Sequence, residues 1–214
     1  MPKIVDPLTR RRAVADAVLR VVGREGVEGA SLRNVAEEAG LAIGSVRHYF
    51  SDHDETIIFA MRELIGRLEG RLHGHIERLL SPAAGRQRRT QVEEFLAEFL
   101  PLDEPRREEA VLWQAFTTAA RTRPELRPWA LEWQAGTRAL LARVLRGAQE
   151  EGGLPDSLDV ESESLRLSVL LDGINLQAVL EPDLLTPDVQ LELLRRHLQT
   201  LQDASWKRAV GPAE

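Results

Sequence analysis

The chain of 214 residues contains no cysteine, which excludes disulfides, a thiol nucleophile and thiolate-bound metal, and fits a reducing cytoplasm. Aromatic residues amount to 5%, with one tyrosine, five phenylalanines and four tryptophans. No apolar run approaches the roughly 18 residues that a membrane span needs, so no membrane partner is expected. The opening MPKIVDPLTRRR lacks the apolar core of a signal peptide. There is no glycine-rich phosphate loop and no nucleophile, base and orienter in a recognisable signature, so no catalytic residue and no cofactor is expected. His73 and His75, two apart on an expected helix, do not share a face, and no metal site is expected either.

What remains is an ordinary globular composition, 43% hydrophobic and 29% charged, large enough for one or two domains. The net charge of −6 is unevenly spread. Residues 1–50 hold eight basic against six acidic side chains, and residues 51–214 hold twenty against twenty-eight. Because charge acts over about 8 Å at physiological salt, a basic head can meet an anion despite an acidic body.

The stretch Ser31 to Phe50, SLRNVAEEAGLAIGSVRHYF, concentrates the information. Ser31 is a good N-cap, and Leu32, Val35, Ala36 and Ala39 form an apolar stripe at helical spacing. Gly40 sits where a helix end favours a left-handed residue, with Leu41 beneath the turn. A second helix then runs to about Phe50, with Val46 and Phe50 inward and Gly44, Ser45, Arg47 and His48 outward. Gly44 allows a backbone to come close, and the other three supply donors. Upstream, Val14, Ala17, Val18 and Val21 mark a covering helix over about residues 9–26. Arg10, Arg11 and Arg12 lie at its start, where positive charge opposes the helix dipole. Either they are a solvated basic end or they meet phosphates. Three short helices with a polar, basic outer face on the last have the layout of a helix-turn-helix that reads DNA.

The segment GLAIGSVRHYFSDHDE resembles the N-terminal signature of the tetracycline-repressor (TetR) family, and the DG-containing helix before EPDLLTPDVQ is similar to its betaine-responsive (BetI-like) branch. The resemblance implies that Ser31, Ser45, His48 and Tyr49 touch phosphates and that Arg33, Ile43, Gly44 and Arg47 lie nearest base edges. One departure stands out. Many relatives carry a phosphate-touching lysine early in the fourth helix, where this chain has His53 and Asp54.

Beyond Phe50 the pattern is helical throughout, over about 54–80, 88–100, 106–121, 125–151, 160–180 and 187–206, with prolines at most breaks. The expected fold is all-α: a three-helix DNA-binding head (residues 1–52), then a helical ligand-binding and dimerisation domain (53–214). Leu191, Leu194, Leu198 and Leu201, with Leu167, Leu171, Ile174 and Ala178 before them, are expected to form a homodimer seam or else ordinary core. Trp113, Phe116, Thr117, Trp129, Trp133, Asp172 and Asn175 combine apolar walls with sparse polar groups and are expected to bind a small-molecule effector, the alternative being core packing. Gly66, Gly70 and Gly74 imply a close helix neighbour or a soft segment, close packing being preferred. Together these features point to a cytoplasmic, ligand-responsive regulator, more readily a repressor, that binds a double-stranded palindromic operator as a homodimer and is not an enzyme. The rival reading is a helical-bundle enzyme or small-molecule carrier with a structural head.

Overall fold

The computed structural model describes residues 7–79 and 88–202. Their regular structure is helical: α1 (Pro7–Gly29), α2 (Leu32–Glu38), α3 (Ile43–Tyr49), α4 (His53–Leu79), α5 (Arg88–Ala97), α6 (Glu104–Ala120), α7 (Arg127–Glu150), α8 (Val160–Leu180) and α9 (Pro187–Gln202). Local chemistry sets the starts. Pro105, Pro128 and Pro187 sit in first turns, where a missing N–H costs nothing. Asp159 caps α8 by accepting from the Ser162 N–H at 3.2 Å, and Asp103 caps α6 by accepting from Arg106 N–H at 3.0 Å. At α4, Asp52 Oδ1 accepts from Glu55 N–H at 2.8 Å while Glu55 Oε2 accepts from Ser51 N–H at 2.7 Å, a reciprocal pair. The bond from Glu55 N–H holds the Asp52 carboxyl below its ordinary range. α1 runs past its expected end because the chain turns at Gly26 (φ 74°, ψ 177°) and resumes helix to Gly29. The expected end of α9 near residue 206 lies outside the described residues.

The chain divides into two compact units, one drawn from Met1–Arg71 and Glu108–Glu132, the other from Leu72–Arg107 and Trp133–Glu214. In the first, Val14, Ala17, Val18 and Val21 of α1, Val35 of α2, Val46 and Phe50 around α3, and Ile57 and Leu64 of α4 share one core with Leu112, Phe116 and Leu126. The three short helices are thus completed by α4, α6 and the corner leading into α7. Fifty residues alone bury too small a share of their surface to be comfortably stable, and the later helices make up the deficit.

In the second unit, Ala142, Leu145, Leu154, Val160 and Leu201 cluster, and α8 and α9 bury Leu167, Leu171, Ile174, Ala178 and Leu194. These α8 and α9 side chains are filled by packing within a single chain. Of the residues that suggested a seam between two chains, Leu167, Leu171, Ile174, Ala178, Leu194 and Leu201 are core while Leu191 and Leu198 are half-buried, because a three-four repeat shows that a helix face is covered, not by what. Arg107 donates to the carbonyls of Ala178 and Val179 at 2.8 and 3.1 Å and so satisfies the end of α8. A second reading also changes. A Cβ built on Gly66, Gly70 or Gly74 meets nothing within 4 Å, so no neighbour requires these glycines and their effect is to weaken α4, each by up to about 1 kcal/mol.

Glu163, Gln190 and His197 are buried polar groups of α8 and α9. Burial, assisted by the Arg166 charge, pushes the His197 imidazole down from 6.5 to about 4. The folded state therefore prefers neutral His197, and the unfolded chain takes up the proton first. Stability from this group is complete above pH 6.5 and drains away as the pH falls towards 4. Melting temperatures by circular dichroism should fall across that window, and His197→Gln should flatten the decline.

Candidate nucleic-acid interface and ligand cavity

The turn between α2 and α3 is fixed by backbone chemistry. Gly40 adopts φ 65°, its N–H donates to Glu37 O at 3.1 Å, and Leu41 N–H donates to Ala36 O at 2.9 Å. This is a Schellman closure, which needs a left-handed residue at the glycine. Upstream of it, Ser31 Oγ accepts the Asn34 N–H at 3.2 Å while the Asn34 side chain donates to Gly29 O at 2.8 Å. Glu38 clamps α2 to α1 by accepting from Arg20 at 2.6 Å and Arg24 at 2.9 Å, and these bonds hold its carboxyl below the usual range.

With the turn fixed, Val46 and Phe50 are buried and orient α3. Its other side is open: Gly44, Arg47 and His48 are exposed, Ile43 is 39% exposed, and Ser45 and Tyr49 are half-buried. His48 and Tyr49 meet edge to face at 5.2 Å. Arg33 is exposed and Ser31 half-buried on α2 and its cap. A Cβ on Gly44 would meet no protein atom within 4 Å, so the fold itself does not demand glycine there.

The basic cluster at the start of α1 is partly committed elsewhere. The Arg11 guanidinium lies 5.2 Å from the Phe50 ring and 4.7 Å from the Phe59 ring, a double cation–π contact, and Arg12 pairs with Glu63 at 3.5 Å. His53, early in α4, is turned inward: its Nε2 donates to Val27 O at 3.0 Å.

The seven residues nominated for an effector divide between the units. Trp113, Phe116, Thr117 and Trp129 belong to the first, where Phe116 is buried in the core, Trp113 lies 5.8 Å from it ring to ring, and Arg62 covers Trp129 at 4.0 Å. The Thr117 hydroxyl donates back to the carbonyls of Trp113 and Gln114 at 3.0 and 3.1 Å. Trp133, Asp172 and Asn175 belong to the second. Asn175 donates to Phe99 O at 2.8 Å and Leu171 O at 2.9 Å, and Asp172 accepts from Gln134 at 3.3 Å. Desolvation pushes the Asp172 carboxyl up. The second unit also holds a cavity of about 260 Å³ with apolar walls of Val92, Val144, Leu145, Leu154, Leu198 and Leu201 and with Arg89 at its edge. None of the seven lines it, and sequence periodicity could not reveal it, because its walls come from four separate segments.

Comparison with known proteins sets this geometry in a family. Residues 88–203 match the family described as BetI-type transcriptional repressor, C-terminal. The chain is 34% identical over 202 residues to the HTH-type transcriptional regulator PksA of Bacillus subtilis (strain 168), covering 94% of each. The chain belongs to the TetR family of transcriptional regulators. To BetI of Rhizobium meliloti (strain 1021) it is 25% identical over 181 residues, 85% of this chain and 83% of that one. Among solved structures it resembles a transcriptional regulator from Pseudomonas aeruginosa PAO1 with a TM-score of 0.80 at 26% identity, over 96% of both chains. A Rhodococcus sp. Rha1 regulator matches with a TM-score of 0.74 at 30% identity, over 89% of this chain and 95% of that one.

In this TetR-family regulator Ile43, Gly44, Arg47 and His48 on the outer face of α3 are exposed, so changes there can be examined apart from folding. Gly44→Ala should leave the melting temperature unchanged or slightly raised, since alanine favours helix by up to about 1 kcal/mol, yet weaken operator binding by crowding the approach. Arg47→Ala should cost about 1–3 kcal/mol at the specific site and relax preference at one base position per half-site. Electrophoretic mobility shifts on a panel of operator variants read both. A uniform loss for Arg47→Ala across the panel would make Arg47 a phosphate contact.

Proposed function

We propose that the protein is a ligand-released repressor acting in the cytoplasm as a homodimer. Residues 1–52 read DNA and residues 53–214 pair the chains and bind the effector. The observation that carries this reading is α3: a short helix held by Val46 and Phe50, with Gly44, Arg47 and His48 exposed and Ser45 and Tyr49 half-buried beside them. Arg33, Ile43, Gly44 and Arg47 face base edges, and Ser31, Ser45, His48 and Tyr49 face phosphates. One such helix reads few bases, and two of them about 34–36 Å apart read a palindrome.

For the dimer, α8 supports a specific face. Leu165, Val169, Leu176 and Leu180 share one side of the helix and remain exposed, Val169 at 63% and Leu176 at 48%. Val189 and Leu193 of α9 are also exposed apolar residues. Apolar surface of this kind on a soluble fold is expected to be covered. A second copy of the chain is the proposed cover.

For the effector, the apolar cavity of the second unit supports a small molecule, and the seven nominated residues remain candidates beside it. Two structural neighbours were solved with small molecules: a Saccharomonospora viridis regulator with choline (TM-score 0.77, 20% identity) and the multidrug binding protein EbrR with ethidium (TM-score 0.63, 30% identity).

The test begins with mobility shifts on the DNA flanking the protein's own coding region. Binding should weaken steeply with salt, with a slope of about −0.9 in log affinity per log salt for each phosphate neutralised, and a flat response would refute phosphate contact. Val169→Glu with Leu176→Glu should give folded monomers in sedimentation that bind operator poorly, because both side chains are already exposed in the single chain and their replacement disturbs no core. A double variant that stays dimeric would place the interface elsewhere.

A further inference from the structure

One arginine far along the chain reaches both ends of the helix-turn-helix. α2 and α3 are strung between the last turn of α1 and the first turn of α4. Arg123 stands on the corner between α6 and α7, held by its own N–H to Ala119 O at 3.0 Å and by the fully buried Leu126, whose N–H donates to Arg123 O at 3.2 Å. Its Nη1 donates to Asp54 Oδ1 at 2.9 Å and to His53 Nδ1 at 3.0 Å, and its Nη2 lies 3.4 Å from Glu28 Oε1. His53 in turn spans to α1 through Val27 O. We propose that Arg123 is a positioning residue for DNA reading, tying the exit of α1 and the entry of α4 to the α6–α7 corner so that α3 is presented in one orientation.

The protonation state of His53 enters through geometry. Val27 O only accepts, so His53 Nε2 carries a proton, and in the neutral ring Nδ1 is then an acceptor. The Arg123 N–H is the donor that meets it. A second proton on the ring turns Nδ1 into a donor facing the guanidinium. It must then donate to Asp54 Oδ1, 3.1 Å away, and share that carboxylate with Arg123. The groups facing His53 are Asp54 on α4, the Val27 carbonyl with Glu28 beyond it at the end of α1, and Arg123 from the corner. The geometry of the tie is therefore that of the neutral ring.

The proposal rests on the DNA-reading role of α3, and the test separates the two with the full-length protein. Operator affinity is measured for wild type, Arg123→Ala, His53→Gln, His53→Leu and the double variant of Arg123→Ala with His53→Gln. Glutamine at position 53 offers a neutral donor to Val27 O and a neutral acceptor to Arg123 at every pH. His53→Gln should keep wild-type affinity, whereas His53→Leu, which can neither donate to Val27 O nor accept from Arg123, should lose it severalfold. Arg123→Ala should lose about tenfold in operator affinity, within the 5–150-fold span of typical couplings, and in its background His53→Gln should have no effect. Hydrogen exchange without DNA should show faster amide exchange across residues 43–56 in Arg123→Ala. Should Arg123→Ala fail to fold, the two His53 variants decide, and a folded His53→Leu with wild-type operator affinity overturns the proposal. Unchanged operator affinity and unchanged exchange in a folded Arg123→Ala overturn it as well. Faster exchange in Arg123→Ala together with a wild type that binds no DNA keeps the tie and removes the regulatory reading.

Discussion

The shared core of the first unit is the constraint from which the rest follows. α2 and α3 have seven residues each, far below the length at which a helix is stable by itself in water. Their conformation is imposed by the core that Val35, Val46 and Phe50 enter, a core that Leu112, Phe116 and Leu126 join from more than sixty residues later. Helices held this way cannot be indifferent to α6. Whatever displaces Phe116 or the corner at Leu126 disturbs the core that α2 and α3 share.

The helix-turn-helix was legible because its signals are local. Ser31, Gly40 and the spacing of Val35, Val46 and Phe50 each determine structure within a few residues, and all three levels agree. Helix positions beyond residue 50 were legible for the same reason, with proline and acidic caps at the starts. What the sequence concealed is partnership. The same leucine spacing describes a seam between chains and a core within one, so Leu194 and Leu167 stayed open between the two while Val169 and Leu176, the exposed residues, drew no notice. Arg11 read as either a solvated or a phosphate-facing charge because nothing in its neighbourhood announces two phenylalanines, one of them 48 positions away. Arg123 and His53, 70 residues apart, have no sequence signal that could have joined them.

Arginine carries much of the polar architecture. Lys3 and Lys207 are the lysines among 28 basic residues, and both lie outside the described residues, so each Lys or Arg side chain placed here is a guanidinium. The flat, forked cation suits the tasks it performs. Arg11 and Arg62 lie over aromatic rings, Arg20 and Arg24 share Glu38, Arg107 reaches two carbonyls at once, and Arg123 serves three acceptors on two helices. An ammonium group, compact and strongly hydrated, could replace the charge in these places and not the geometry.

The separation of duties on α3 bears on how such proteins diverge. Its inward residues are set by the core, whereas positions 43, 44, 47 and 48 touch solvent and contribute little to packing. Substitutions there leave the protein foldable. After gene duplication, two copies can therefore diverge by a handful of changes on one short helix, each intermediate still folded, so a new outer face is reachable without passing through unstable sequences.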